Sequence, residues 1–488
     1  MRLVRIGLLA ALALAVSGCG AAKPPGSVPA GAEFAPASSA VYFVVNTDTS
    51  SDQWRKADHL LSLFPGRAKL LASFTKDLKK DKLTWARDIK PALGDSVHVV
   101  WVDFKNGGDD VVGYAKPKDE AKFDKLLESG SDPTVHRKIA GWTVFADKQA
   151  IIGRFVTARA SGSLSGEKRF RQAMKKLPKD AAVRGYLNGD AVQSALENAA
   201  GPAFDPQTFR QFTQAYGKLE SASFSASAED QGVKVDASYT ASVKPKIGSF
   251  SASLDDSLPA GALFYISFGG LEDYLNNLLD TARKSNPQFK TQLDQFENGL
   301  GFSLKSDLFP LFSNEGAIAV YRGSPIPGIA FMLDVNGNGD KAENVMKRIG
   351  ALAALSGGAQ TRTFTVDGVE ARELELQGFA IFSAVADGKL VVTSTEQLLR
   401  GALGKGNKLS DDSIYKEARD AAGAPDKSIG FIYVNLKDTL PWAFGLSEKS
   451  GETVPPDAKA NTKPLRSVLL YLKRDGKRIS LSGFLTIK

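Results

Sequence analysis

Residues 178–188 read Pro-Lys-Asp-Ala-Ala-Val-Arg-Gly-Tyr-Leu-Asn, and residues 425–435 read Pro-Asp-Lys-Ser-Ile-Gly-Phe-Ile-Tyr-Val-Asn. Proline, tyrosine (Tyr186, Tyr433) and asparagine (Asn188, Asn435) keep the same spacing in both. Working outward, the same marks recur in the same order. Ser165 with Phe170 precedes the first run, and Ser410 with Tyr415 the second. Further upstream, Gly141-Trp142-Thr143-Val144-Phe145 matches Gly378-Phe379-Ala380-Ile381-Phe382. Each of these is followed by a turn (Asp147-Lys148; Asp387-Gly388-Lys389) and a second β-rich run. Asp88-Ile89-Lys90-Pro91 leads into Val97–Val102 as Asp307-Leu308-Phe309-Pro310 leads into Ala317–Tyr321. Pro36-Ala37 opens a strand through Tyr42, and Pro259-Ala260 one through Tyr265. Both halves close on a long hairpin, Ser221–Tyr239 around Gly232 and Ser467–Ile487 around Gly476. The separation drifts only from about 220 to about 247 residues. A collinear series of this kind is the signature of an internal duplication.

Within a half, Val97-His98-Val99-Val100-Trp101-Val102 is β-branched and apolar, as a strand requires. Helices show the 3.6 period: Phe123, Leu126 and Leu127 share a face after a cap at Asp119, and Tyr274, Leu275, Leu278 and Leu279 do the same. Tight Gly-aromatic hairpins can join only antiparallel strands. The expected fold is α+β: two tandem repeats, 36–245 and 246–488, each an antiparallel-rich sheet with helices on one face and a core of its own. The junction is the polar segment Val243–Leu258, which carries Pro245, Gly248 and several serines.

The 488 residues are 43% hydrophobic and 24% charged, a globular balance that is too apolar for disorder. At the other end of the chain, Arg2 and Arg5 precede the apolar run Ile6–Val16, which stops at Val16-Ser17-Gly18-Cys19. This has the basic, apolar and small-residue parts of a signal peptide, and the apolar run is too short to span a bilayer. It resembles the bacterial lipobox. That resemblance implies cleavage after residue 18, lipidation of Cys19, and export to the outer face of the cytoplasmic membrane. Residues 1–18 are then a signal peptide. Residues 19–35, rich in Ala, Gly and Pro, are expected to be a flexible tether. Cys19 is the only cysteine, so no disulfide or thiolate chemistry is available once it is acylated. The net charge of +8 falls to +6 when Arg2 and Arg5 leave with the signal.

The Pro-Ala-x-x-x-x-Tyr opening and the tandem helix-and-hairpin arrangement over residues 36–488 resemble a bacterial exported family, the domain of unknown function 3352. The family carries no assigned activity, so the resemblance implies a fold and an address but no catalytic residue.

Read directly, the residues offer little chemistry. His59, His98 and His136 have no i, i+4 partner, and neither a Gly-x-Ser-x-Gly elbow nor a phosphate-cradling Gly-Lys-Ser/Thr loop occurs. Ser73-x-x-Lys76 and Ser165-x-x-Lys168 match the first penicillin-recognising motif, Tyr186-x-Asn188 a variant of the second, and Lys449-Ser450-Gly451 the third. Tyr-x-Asn recurs at Tyr433-x-Asn435, however, as a strand end would. Asp334, Asn336, Asn338 and Asp340 copy the opening of a calcium loop, but position 12 is Val345 instead of a bidentate Glu. A turn explains these residues better than a weak calcium site. Asp109-Asp110 and Asp411-Asp412 fall at turns or helix starts.

Gly166–Lys179 carries Lys168, Arg169, Arg171, Lys175, Lys176 and Lys179 against the single acid Glu167. On a helix these cations share one arc opposite Phe170, Ala173, Met174 and Leu177. The matching segment of the second half mixes Asp411, Asp412, Lys416, Glu417, Arg419 and Asp420. The expectation is a non-catalytic envelope lipoprotein with no cofactor. It is held to the membrane by lipid and presents an anion-binding face to anionic lipid or cell-wall polymer rather than nucleic acid. The alternative is a cell-wall-directed hydrolase with dispersed acid and base residues.

Overall fold

The computed structural model describes residues 27–488, except 105–107, 130–133, 199–216, 245–247, 325, 356–358 and 377. The signal peptide and Cys19 lie outside the described residues. The chain forms two compact units: Met1–Pro245 with Pro455–Leu465 and Asp475–Lys488, and Lys246–Val454 with Arg466–Arg474. The outgoing strand of the closing hairpin of the second half thus lies in the first unit.

Unit 1 contains β1 (Val41–Asn46), β2 (Ser96–Trp101), β3 (Val111–Ala115), β4 (Val135–Ile139), β5 (Trp142–Ala146), β6 (Val183–Asn188), β7 (Leu219–Glu229), β8 (Gly232–Ala241) and the last strand of the chain, β20 (Arg478–Ile487). Their order across the sheet is β4-β5-β3-β2-β1-β6-β7-β8-β20, with every neighbour antiparallel. β1 is central because Val-Tyr-Phe-Val-Val is apolar at both parities.

Cross-strand partners share a face. Tyr42, Val100, Val112 and Tyr186 lie on one side, and Phe43, Val99, Gly113 and Phe145 on the other. Helix Gln149–Arg159 (Ile151, Ile152, Phe155) and helix Lys168–Met174 (Phe170, Met174) cover the tyrosine side. Helix Glu120–Glu128 covers the other, packing Phe123 and Leu127 on Val97, Ala115 and Phe145. Helices therefore lie on both faces rather than one. Strands apolar at both parities, such as Val97–Val102, need cover on both sides.

Unit 2 contains β9 (Phe250–Ser251), β10 (Phe264–Gly269), β11 (Glu315–Tyr321), β12 (Gly328–Asp334), β13 (Ala359–Val366), β14 (Val369–Leu376), β15 (Phe379–Ala386), β16 (Lys389–Thr393), β17 (Lys427–Ser428), β18 (Gly430–Val434) and most of β19 (Leu465–Asp475). The sheet order is β13-β14-β15-β16-β12-β11-β10-β18-β19, again antiparallel throughout, while β9 and β17 form a separate short pair. Helix Gly339–Leu355 packs Ala342 and Val345 on Leu333 and Leu390. From the opposite face, helix Ser413–Ala422 sets Tyr415 against Tyr265 and Tyr433. The fold is α+β.

Two expectations need correction beyond the placement of helices. The β-rich run expected after Asp147-Lys148 is helix Gln149–Arg159, which buries Ile151, Ile152 and Phe155 on one face. Asp387 and Gly388 take the positive φ of a hairpin turn (50° and 70°), and β16 follows; Lys148 is extended (φ −142°) and caps a helix instead. The expected tether, 19–35, also ends early. Ala32, Phe34 and Ala35 are buried, and the Phe34 ring lies 5.2–5.5 Å from those of Tyr114, Trp142 and Phe155. Val28 packs against the same core.

Candidate functional site

Helix Lys168–Met174 is held by Phe170 and Met174, both fully buried. The Phe170 ring meets Tyr42 and Tyr186 edge-on, at 5.3 and 5.0 Å. The helix is shorter than the 166–179 pattern because Pro178 forces Leu177 out of helical geometry. Its cations then point in different directions. Arg171 turns back and donates to the carbonyls of Ser165 (3.0 Å) and Gly166. Lys168 and Lys179 are exposed and take no part in the cleft described next. Arg169, Lys175 and Lys176 line a cleft of about 340 Å³ together with Gln172 and Ala173.

The opposite wall is the sheet beyond β6. β7 reads Ser221-Ala-Ser223-Phe-Ser225-Ala-Ser227, so one parity is all serine. That parity faces the same side as Tyr42 and Tyr186, because Ser223 pairs with Tyr186 and Ser221 with Asn188. The row continues across the sheet: Ser221 faces Thr240 and then Arg478, and Ser223 faces Ser238 and then Ser480. Ser221, Ser223, Ser238, Thr240, Arg478 and Glu220 line the cleft. Ser223 and Ser238 hydroxyls lie 3.0 Å apart, and Arg478 Nη2 donates to Ser238 Oγ at 2.8 Å. Two further buried serines, Ser225 and Ser227, extend the row with hydroxyls that have no partner among the described residues.

Electrostatically the cleft is a cationic rim over a hydroxyl floor. Arg169 donates to Asp190 Oδ2 at 2.6 Å, which raises its already high pKa. Burial pulls the Arg478 guanidinium below its usual value, with Asp475 and Asp236 opposing that shift. An arginine remains charged through the neutral range even so. In the matching region of unit 2 three cations are each paired with an acid, as Arg169 is with Asp190 in the cleft. There Arg419 binds Asp255 at 3.0 Å, Lys416 lies 3.7 Å from Asp411, and Arg466 lies 3.3 Å from Glu417.

The remaining sequence candidates are not assembled into a site. Ser73 lies inside helix Arg67–Lys80, away from its start, and Ser165 in a single 3-10 turn. Ser450 caps the end of helix Leu436–Lys449, in the other unit. Tyr186 and Tyr433 are buried in strands. His59 is exposed, His136 lies 3.5 Å from Asp124, and His98 is enclosed in the core. Asp110 is buried against Arg154. In the calcium-like turn, Asp334 Oδ1 accepts from Asn336 N at 3.0 Å and Asn338 Nδ2 donates to the Pro310 carbonyl at 3.4 Å. Asp340 sits in the first turn of helix Gly339–Leu355. No group of three or more His, Cys, Asp or Glu able to hold a metal occurs among the described residues. Nor, among them, is any helix long and apolar enough to cross a membrane.

A family model described as "Protein of unknown function (DUF3352)" matches residues 125–484, well over half of the chain. The chain belongs to this family. The DUF3352 match takes in the basic helix, β7, β8 and Arg478, and so the whole lining of the cleft. No curated protein matches this DUF3352 chain. Among solved structures, crystal form IV of TP0453 is similar at 10% identity and a TM-score of 0.24, over 49% of this chain and 93% of that one. Crystal form III of TP0453 gives 11% and 0.23, over 46% and 81%. At those scores the likeness carries no argument about the fold or the cleft.

Proposed function

We propose that this DUF3352 protein is an exported, lipid-anchored, non-catalytic binding protein, built by tandem duplication, whose first unit takes an anionic ligand. The observation that carries the reading is the convergence of Arg169, Lys175, Lys176 and Arg478 on one hydroxyl-lined cleft. Export and anchoring rest on the basic, apolar and small-residue pattern that ends at Cys19. Duplication is supported by register: Tyr42 pairs with Tyr186 as Tyr265 pairs with Tyr433. Phe170 sits edge-on to the first pair, and its sequence counterpart Tyr415 edge-on to the second. Isolated bridges Pro36–Ser163 and Pro259–Lys408 add a third correspondence.

Clustered cations bind polyanions by releasing counterions, so the interaction must weaken with salt. Full-length protein in detergent is expected to bind dextran sulfate at about 50 mM salt and to release it near about 0.5 M. Lys175→Glu with Lys176→Glu is expected to weaken binding about tenfold or more at low salt. The melting temperature should not move, because both side chains are exposed. Binding that survives both the reversal and high salt removes the cleft from the reading.

A further inference from the structure

The cleft offers more than positive charge. A bare anion brings only acceptors, and Arg169, Lys175, Lys176 and Arg478 answer those. Ser221, Ser223, Ser238 and Thr240 can accept as well as donate, Gln172 has an amide oxygen, and Glu220 only accepts when ionised. Such acceptors call for donors on the ligand, and Glu220 opposes an anion that carries none. The space also has room for more than a simple ion. At ~30 Å³ per water, a volume of 340 Å³ equals about ten waters, far more than a phosphate or carboxylate occupies.

The lining restricts the ligand further. Ala173 is the one wholly apolar side chain among the described lining residues, and the other carbon surface belongs to stems that end in charged or polar groups. Among the described residues no aromatic ring lines the cleft, so the lining they give offers hydroxyls and charges rather than a stacking face. The cations and the paired hydroxyl rows together suit a flexible chain of hydroxyls bearing a phosphate. Resting on the reading of this cleft as an anion site, we propose that it recognises a polyol phosphate. The phosphate lies among Arg478, Lys175 and Lys176, and the polyol hydroxyls meet the Ser221–Thr240 and Ser223–Ser238 rows and Glu220.

This chemistry could reach the protein as a free ester, a polymer unit or a phospholipid headgroup, and titration calorimetry on the full chain in detergent separates these. The probes are glycerol 3-phosphate, inorganic phosphate, glycerol, glucose 6-phosphate and phosphatidylglycerol vesicles. Glycerol 3-phosphate is expected to bind at least about tenfold more tightly than phosphate or glycerol, the gain expected of one or two extra hydrogen bonds. Ser223→Ala with Thr240→Val should bring it down to the phosphate level, while Arg478→Gln should weaken both anions. Phosphate binding as tightly as glycerol 3-phosphate would overturn the polyol assignment and leave the anion site standing. Tighter binding of glucose 6-phosphate would also overturn it. Binding of the vesicles alone assigns the source as a lipid headgroup if Ser223→Ala with Thr240→Val abolishes it, and overturns the polyol assignment if it does not. If no anion binds and Arg478→Gln changes nothing, both readings fail together. Unchanged circular dichroism of each variant keeps loss of fold from imitating any of these results.

Discussion

His98 shows how far one side chain in this core departs from its solution behaviour. It is 2% exposed on β2, with Nδ1 2.8 Å from the Tyr42 hydroxyl, Nε2 3.0 Å from Ser96 Oγ, and its ring stacked on Tyr114 at 5.0 Å. Burial, and then the positive Arg184, push its pKa from 6.5 down to about 3. The unfolded chain therefore binds one more proton than the folded one between about pH 6.5 and pH 3. The stability due to neutral His98 is complete above 6.5 and drains away as pH falls, by at most about 1.4 kcal/mol per unit. His98→Phe cannot bond Tyr42 or Ser96 and is expected to be less stable at pH 7. Its urea midpoint should fall less steeply between pH 6.5 and 4, so the two curves converge. Parallel curves would show that His98 titrates normally.

At the level of elements, two features are held by contacts that can be cut singly. Gly185 on β6 faces Phe224 on β7, and a Cβ there would come within 2.0 Å of that ring. Gly185→Val is expected to cost about 1–3 kcal/mol or more from overpacking. Adding Phe224→Ala should recover part of the loss, because the two residues touch and their effects do not add. Thermal unfolding of the four corners of that cycle measures the coupling. β20 is the second feature. Ile479, Phe484 and Ile487 are buried on it, and Ile487 forms a small core with Ala57 and Leu60. At about 1.5–3 kcal/mol per buried side chain, their loss rivals the 5–15 kcal/mol stability of a whole domain. The fragment 27–245 is therefore expected to lack a cooperative transition, and chains ending at residue 474, which keep all of unit 2, to lose the transition of unit 1 alone. A sharp transition in the fragment 27–245 would show that β8 does not need its partner.

These elements also mark where sequence stopped being informative. The strands around Tyr42, Tyr186, Tyr265 and Tyr433 were legible because their runs are rich in apolar and aromatic residues and the marks recur. Helix Gln149–Arg159 was not, since Ile-Ile-Gly-Arg-Phe-Val suits a strand equally well and only the following geometry decides. The basic helix announced its charge but not its ligand wall. Arg478 reaches the cleft through the pairing of β8 with β20, a contact between residues some 240 apart in the chain. The all-serine parity of β7 was visible at short range, but its meaning depends on that pairing.

On the scale of the whole molecule, anchoring and recognition constrain one another. Because Val28 and Phe34 are already docked into unit 1, the span from a lipidated Cys19 to the folded unit is set by residues 20–27. Eight residues at ~3.5 Å each reach at most about 28 Å, about half of what a tether through residue 35 would allow. Unit 1, which bears the cationic cleft, would then be kept close above the bilayer, among whatever phosphates lie there. The hold itself would come from acyl chains, at ~0.8 kcal/mol per buried methylene, and two or three chains suffice where one is marginal. Cys19→Ala is accordingly expected to appear in the soluble fraction after cell breakage or to remain as an uncleaved precursor, resolved by membrane flotation and intact mass. Wild type should float with membranes and carry the added mass of its lipids. A Cys19→Ala protein that floats with its signal removed would show that something other than the cysteine holds it. The cleft cations would then be the first place to look, since 0.5 M salt would release a protein bound through them and leave an acylated one in place.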